Sequence, residues 1–332
     1  MTTNTRGEIL EYIVYHGQAR AYDLQKKLQI SRVAIHKQLK RLLKEGLIIR
    51  VGTPPIVFYK LNSESKMRTD ETKQLPEFTH QVIEANFLHI TPDGRLLYGM
   101  EGFIYWAKEY QKDKPLIQLA NAYAKVVQEQ NKFSQQGWLD ATFKLKDTFK
   151  EVFVDKLLFQ DIYSYKVFGR TKLAKLVMYA KQAGARELID KISDMAKPVI
   201  EKIVKTYSIE AVAFIPPTVP RPLQFMDEFS DRLAIPLPKI KLVKVVPGDI
   251  PIPQKTLSSL KERIINARDT IYLKHVADPS YENILLIDDV VGSGASFNET
   301  ARKLKNVKVR YKNIVAFGLV GNIKGYDVIR EI

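Results

Sequence analysis

The chain has 332 residues and not one cysteine, which excludes disulfides, thiolate zinc sites and a cysteine nucleophile together. Histidine is scarce. The five are His16, His36, His80, His89 and His275, and no two sit on one helix face at metal-ligand spacing, so no metal held directly by the protein is expected. No apolar run approaches the length of a membrane span. The opening Met1-Thr2-Thr3-Asn4 has neither the basic nor the apolar block of a signal peptide, so a cytoplasmic location away from membranes is expected.

What is present is the balance of a folded protein, with 45% hydrophobic and 27% charged residues. The length suggests two domains and a connector. The formal charge is +15, and residues 1–62 hold eleven Lys/Arg against four Asp/Glu, so about half of the excess lies in that stretch. A polyanionic partner is implied there.

Ile9, Leu10, Ile13 and Val14 recur at helical spacing over 6–15, and Gly17 ends that helix. Ala21, Leu24 and Leu28 mark a second helix, and Ser31 is placed to cap a third. The third is amphipathic, with Val33, Ile35, Leu39, Leu42 and Leu43 on its apolar side. Residues 47–51 and 56–61, around Gly52-Thr53-Pro54-Pro55, predict a hairpin. Three helices and a hairpin over 5–62 resemble the winged helix-turn-helix family. The resemblance implies binding of double-stranded DNA, with Arg32, His36 and Lys37 near bases and Lys40, Arg41 and Arg50 on phosphates. It also implies a homodimer reading paired half-sites. The competing reading is an interaction module with a solvated basic face.

Residues 63–78 are polar and predict a linker. Over 79–158, Tyr98, Phe103, Tyr105, Trp106, Leu119 and Tyr123 suggest packed helices, with a turn at Thr91-Pro92-Asp93-Gly94, and a helical connector is expected. Its aromatic residues suit core packing better than a base-stacking surface.

The strongest signal is Asn283-Ile-Leu-Leu-Ile-Asp288-Asp289-Val-Val-Gly292-Ser293-Gly294-Ala295-Ser296. Four aliphatics before paired acids mark a strand buried on both faces of a parallel sheet, with the acids at the end where such sheets bind ligands. Gly292 and Gly294 allow backbone approach and positive φ, Ser293 and Ser296 add hydroxyls, and a helix starting near Ser296 offers free N–H groups to an anion. Ser296 and Glu299 have capping-box spacing. A phosphate cradle beside carboxylates suited to vicinal hydroxyls describes a ribose 5-phosphate site. A doubly wound sheet holding another ligand, such as a nucleotide, is the alternative.

The segment resembles the signature of type I phosphoribosyltransferases. The resemblance implies that Asp288 and Asp289 hold the ribose hydroxyls and that Gly292, Ser293, Gly294, Ala295 and Ser296 hold the 5-phosphate, although the family more often has Thr or Ser at position 292. Upstream, the strand 211–215 runs into Pro216-Pro217-Thr218-Val219-Pro220-Arg221, where Pro217, Thr218 and Arg221 suit a pyrophosphate. A helix over 223–233 and a strand over 241–246 are predicted next. Gln254, Leu257, Arg263 and Asn266 then match the intervals of ComF-like phosphoribosyltransferases, and 179–188 resembles that family more loosely. Two departures stand out: Pro222-Leu223-Gln224-Phe225 replaces the family's usual segment, and a winged helix stands where the family carries a zinc module. Arg263 and Asn266 are either ligands or structural pairs, and Lys255 is either part of a hood or solvated.

The fold class implied is α/β, a phosphoribosyltransferase-type doubly wound parallel sheet over 159–332, preceded by the winged helix and the helical connector. Mg²⁺ is expected to arrive with phosphoribosyl pyrophosphate rather than on protein ligands. The architecture is similar to the purine-operon repressors, which implies a regulator sensing phosphoribosyl pyrophosphate or a nucleotide. The competing functions are an active phosphoribosyltransferase and an interaction protein with a vestigial pocket.

Overall fold

A computed structural model describes residues 5–62, 74–134, 136–274, 281–306 and 311–322. The chain divides into two compact units, Met1–Glu77 with Ala107–Gln118, and Phe78–Trp106 with Leu119–Ile332. His275 and most of the expected linker lie outside the described residues.

In the first unit, α1 (Thr5–His16), α2 (Ala21–Leu28) and α3 (Arg32–Lys44) precede a hairpin of β1 (Ile48–Val51) and β2 (Phe58–Leu61). Gly17 ends α1 at φ +73°, and the Ser31 hydroxyl accepts from the Ala34 N–H at 3.2 Å to cap α3. Ile9, Ile13, Leu24, Ile35, Leu39, Leu42, Ile48 and Tyr59 form the core. The hairpin pairs Ile48 with Leu61 and Val51 with Phe58. Ile56 and Val57 belong to the turn rather than to the strand, because a bond from the Ile56 N–H to the Thr53 carbonyl (2.9 Å) curls the chain there. Val33 also departs from expectation. It is 78% exposed, since two residues from Ile35 on a helix is the opposite face.

The linker ends earlier than expected, because α4 (Glu77–Asn86) begins inside it. A hairpin of β3 (Leu88–Ile90) and β4 (Leu96–Tyr98), α5 (Gly99–Tyr110) and α6 (Leu116–Asn131) follow. Phe87, Phe103 and Tyr123 bury their rings together, 5.0 and 5.3 Å from Phe87 to the other two, which makes these aromatic residues core. The stretch 79–158 is not wholly helical. Its last part, β5 (Leu139–Asp140), α7 (Thr142–Thr148) and the start of β6 (Lys156–Ile162), is built into the sheet described next.

That sheet has the order β5-β6-β11-β10-β7, with β7 at Ala211–Phe214, β10 at Asn283–Val291 and β11 at Asn313–Gly321. β6, β11, β10 and β7 run parallel, and β5 is an antiparallel edge. Successive side chains of β10 enter opposite layers. Leu285 and Ile287 pack with α8 (Lys172–Ala183), α9 (Arg186–Thr206) and α10 (Phe225–Leu233). Ile284 and Leu286 pack with α7, α11 (Leu260–Thr270) and α12 (Ala295–Asn306). The result is a mixed α/β, mostly parallel sheet covered on both faces. A small hairpin, β8 (Leu242–Lys244) and β9 (Ile271–Leu273), adjoins it, so the expected strand at 241–246 is shorter, and the helix expected from Leu223 starts at Phe225.

Candidate functional site

The pairing of β10 with β7 stops at Ile287 opposite Phe214, while its pairing with β11 continues to Val291 opposite Gly321. β7 then leaves the sheet through Pro216–Arg221, and the gap opens over the next two residues of β10. These are Asp288 and Asp289. They form the floor of a cleft of about 290 Å³. Pro217, Thr218 and Arg221 line it from the β7 loop, and Gly292, Ser293, Gly294, Ala295 and Ser296 line it from the loop after β10. All the ligand-binding positions expected from the sequence therefore meet in one cleft at the carboxyl end of the strands, where open α/β sheets bind ligands.

The acids are not alone. Lys181, at the end of α8, places its ammonium 2.5 Å from the Asp289 carboxylate. Burial works against the Lys181 charge, yet Asp289 and then Asp288 outweigh it and hold its pKa above the ordinary value. Burial, reinforced by the charge of Asp289, pushes the Asp288 carboxyl up to about 8. Lys244 lines the same cleft, and burial pushes it down to about 8 against a partial pull from Asp288. With Arg221, Lys255 and Arg263, five basic side chains line the cleft against two acids, of which Asp288 holds its proton to higher pH. Such a lining suits a ligand with more than one anionic group.

Within the loop after β10, Gly294 has the positive φ expected of it, while Gly292 and Ser296 differ from expectation. Gly294 has φ +85°, and a Cβ there would meet a Leu145 methyl at 2.8 Å, so this position requires glycine. Gly292 lies outside the left-handed region, and a Cβ there would meet nothing nearer than the Arg263 guanidinium at 3.8 Å. Finally, α12 begins at Ala295, so Ser296 is inside the helix and does not cap it. Glu299 instead pairs with Arg268 (3.0 Å) and Arg302 (2.8 Å), charges that outcompete a backbone N–H for a buried carboxylate. The Ser293 hydroxyl accepts from the Ala295 N–H at 3.3 Å.

Arg221 donates to the Lys181 carbonyl, which ties the β7 loop to the end of α8. Arg263 donates twice to the Leu257 carbonyl, at 3.1 and 2.9 Å. The Gln254 side-chain amide donates to the Asn266 side-chain oxygen (Oδ1) at 3.1 Å and to the Arg263 backbone carbonyl at 2.9 Å. Gln254, Leu257, Arg263 and Asn266 thus form one clamp, which fixes the rim segment carrying Lys255. Lys181 and Lys244 escaped the sequence reading as site residues. A lysine in a helix or strand has no local signature of what it faces, and their position opposite the two acids was the missing information.

In the first unit, Arg32, His36, Lys37, Lys40 and Arg41 are exposed on α3, and Arg50 is exposed on β1. Val33 stands among them, facing away from the core. Arg41 bonds Glu45 at 3.0 Å, and Glu45 also takes Arg6 at 2.9 Å, so Arg41 is less available than its neighbours. Among the described residues, no group of three or more His, Asp or Glu side chains is placed to hold a metal, and no helix is long and apolar enough to cross a membrane.

Residues 2–54 match the MarR family. The matched segment spans the three helices and β1, and it supports a winged helix DNA-binding domain at this end, as found in transcriptional regulators. No curated protein matches the chain.

Proposed function

We propose that the chain is a DNA-binding transcriptional regulator whose α/β unit is a phosphoribosyltransferase-type domain that binds phosphoribosyl pyrophosphate or a nucleotide as effector. The observation carrying this reading is the cleft at the end of β10. Paired acids, suited to the ribose hydroxyls, stand beside a loop that turns through the left-handed Gly294 (φ +85°) and leads into the N-terminus of α12, suited to a 5-phosphate. Arg221 and the lysines supply charge for a second anionic group. The protein donors fit Mg²⁺ only as an ion carried by the ligand, because the cleft offers two carboxylates and one of them is bonded to Lys181. That ion supplies charge neutralisation on the pyrophosphate. Effector occupancy shifts the balance between DNA-competent and DNA-incompetent states, in a protein acting as a homodimer on paired half-sites.

Lys244 favours a second reading, a phosphoribosyltransferase. With its pKa near 8 it is a base of suitable strength to take the proton of an incoming N–H as the C1–N bond forms and the C1–O bond to pyrophosphate breaks. Calorimetric titration with phosphoribosyl pyrophosphate and Mg²⁺, followed by a pyrophosphate-release assay across common bases, separates the readings. Binding without release, together with a change in DNA affinity, supports the sensor. Base-dependent release makes the protein an enzyme, and absence of binding, here and in the same titration with common nucleotides, overturns both.

A further inference from the structure

We infer that Lys144, which lies outside the cleft, is a positioning residue for its phosphate loop; this rests on the reading of residues 292–296 as that loop. Lys144 sits on α7, 148 residues before Gly292, and is only 3% exposed. Its ammonium donates to the Gly292 carbonyl at 2.8 Å and to the Asn322 carbonyl at 2.7 Å. These two carbonyls follow the paired ends of β10 and β11, Val291 and Gly321, so one buried cation ties together the exits of two neighbouring strands.

The bond to Gly292 sets the direction of the next peptide group. In a planar trans peptide, the carbonyl of one residue and the N–H of the following residue point in opposite directions. With the Gly292 carbonyl held toward Lys144, the Ser293 N–H points away from it, and Ser293 lines the cleft. Lys144 thereby aims a backbone donor at the anion from behind. The ammonium also polarises that peptide, and its charge acts through the poorly screening protein interior on whatever anion the loop holds.

Neighbouring contacts brace the same side. Leu145, the next residue, packs where a side chain at Gly294 would stand. Asn298 of α12 donates to the Glu151 carbonyl at 2.9 Å and accepts from the Phe153 N–H at 2.8 Å. The back of the loop is therefore made by residues 144–153.

The test uses the full chain, ribose 5-phosphate and inorganic phosphate. Lys144→Met is expected to weaken ribose 5-phosphate about tenfold or more, the size of one lost charge-assisted interaction. Lys144→Arg, which keeps the charge, is expected to recover part of that loss. In the wild type, inorganic phosphate is expected to shift the Ser293 amide resonance downfield, and in folded Lys144→Met that shift is expected to shrink, a loss confined to Ser293 that a merely structural lysine would not produce. If the wild type binds ribose 5-phosphate and Lys144→Met binds it within about twofold, the inference is overturned. A Ser293 amide that ignores phosphate in a ribose 5-phosphate-binding wild type overturns it as well, and this holds even where Lys144→Met fails to fold. A wild type that binds neither ligand instead removes the phosphate-loop reading beneath it.

Discussion

The winged helix and the cleft carry their charges in opposite ways. On α3 the basic side chains are exposed, and the core of that unit is made by the other face of the same helix, through Ile35, Leu39 and Leu42. Binding groups and folding groups are separate residues there. In the cleft they coincide on the proposed reading: Asp289 is buried against Lys181, and the loop backbone would serve as both structure and ligand donor. A substitution on α3 should therefore change binding alone, whereas one in the cleft should move binding and stability together.

The largest effect expected is from the double variant Asp288→Asn, Asp289→Asn. Loss of the charged acceptor at Asp289 and of the carboxyl at Asp288 should weaken phosphoribosyl pyrophosphate by about 100-fold or more in calorimetry, with DNA affinity in the absence of effector unchanged. Unchanged effector affinity would remove the acids from the site.

The second effect is one of pH. Asp288 has a folded-state pKa of about 8 against an ordinary value of 3.8. Between those values the folded state holds a proton that the unfolded state has released, so this group's contribution to stability falls as pH rises from about 4 to about 8, and levels off above. Thermal melts of the wild type and of Asp288→Asn should diverge over that window, with the variant gaining relative stability toward high pH. Parallel melting curves would break the claim that folding and binding share this residue.

A third, smaller effect lies on α3. Lys40→Ala should reduce the magnitude of the salt-dependence slope of DNA binding by about one and weaken all DNA sequences alike, with no change in melting temperature or effector affinity. A destabilised Lys40→Ala protein would blur the contrast between the two regions. The smallest expected effect is a gain. Gly292→Thr places a hydroxyl where the backbone tolerates a Cβ and only Arg263 lies within reach, and should tighten ribose 5-phosphate by a few-fold in the same titration.

How far these regions could be read in advance follows from how local their determinants are. The aliphatic run before Asp288 marked a doubly buried strand, because β10 is covered on both faces. The face of α3 was readable from periodicity, apart from Val33, whose hydrophobicity argued one way and whose angular position argued the other. The apparent Ser296–Glu299 box was misleading, since the partners of Glu299 include Arg268 of another helix. The cations around the cleft were unreadable for the same reason. Lys144 and Gly292 are 148 residues apart, and only the closed sheet brings them together. The extent of the α/β unit was obscured likewise: β5 is two residues long and α7 seven, too short to announce that they belong to the sheet.

The ion pair between Lys181 and Asp289 also bears on how tightly, rather than how fast, the cleft would fill. An ammonium 2.5 Å from the carboxylate takes part of its accepting capacity and leaves further lone pairs open. A lysine side chain changes rotamer within about nanoseconds, so on the proposed reading it yields or shares its place long before the next ligand molecule arrives. The pair then acts as a standing competitor, and a ligand that brings its own positive charge gains nothing from meeting Asp289.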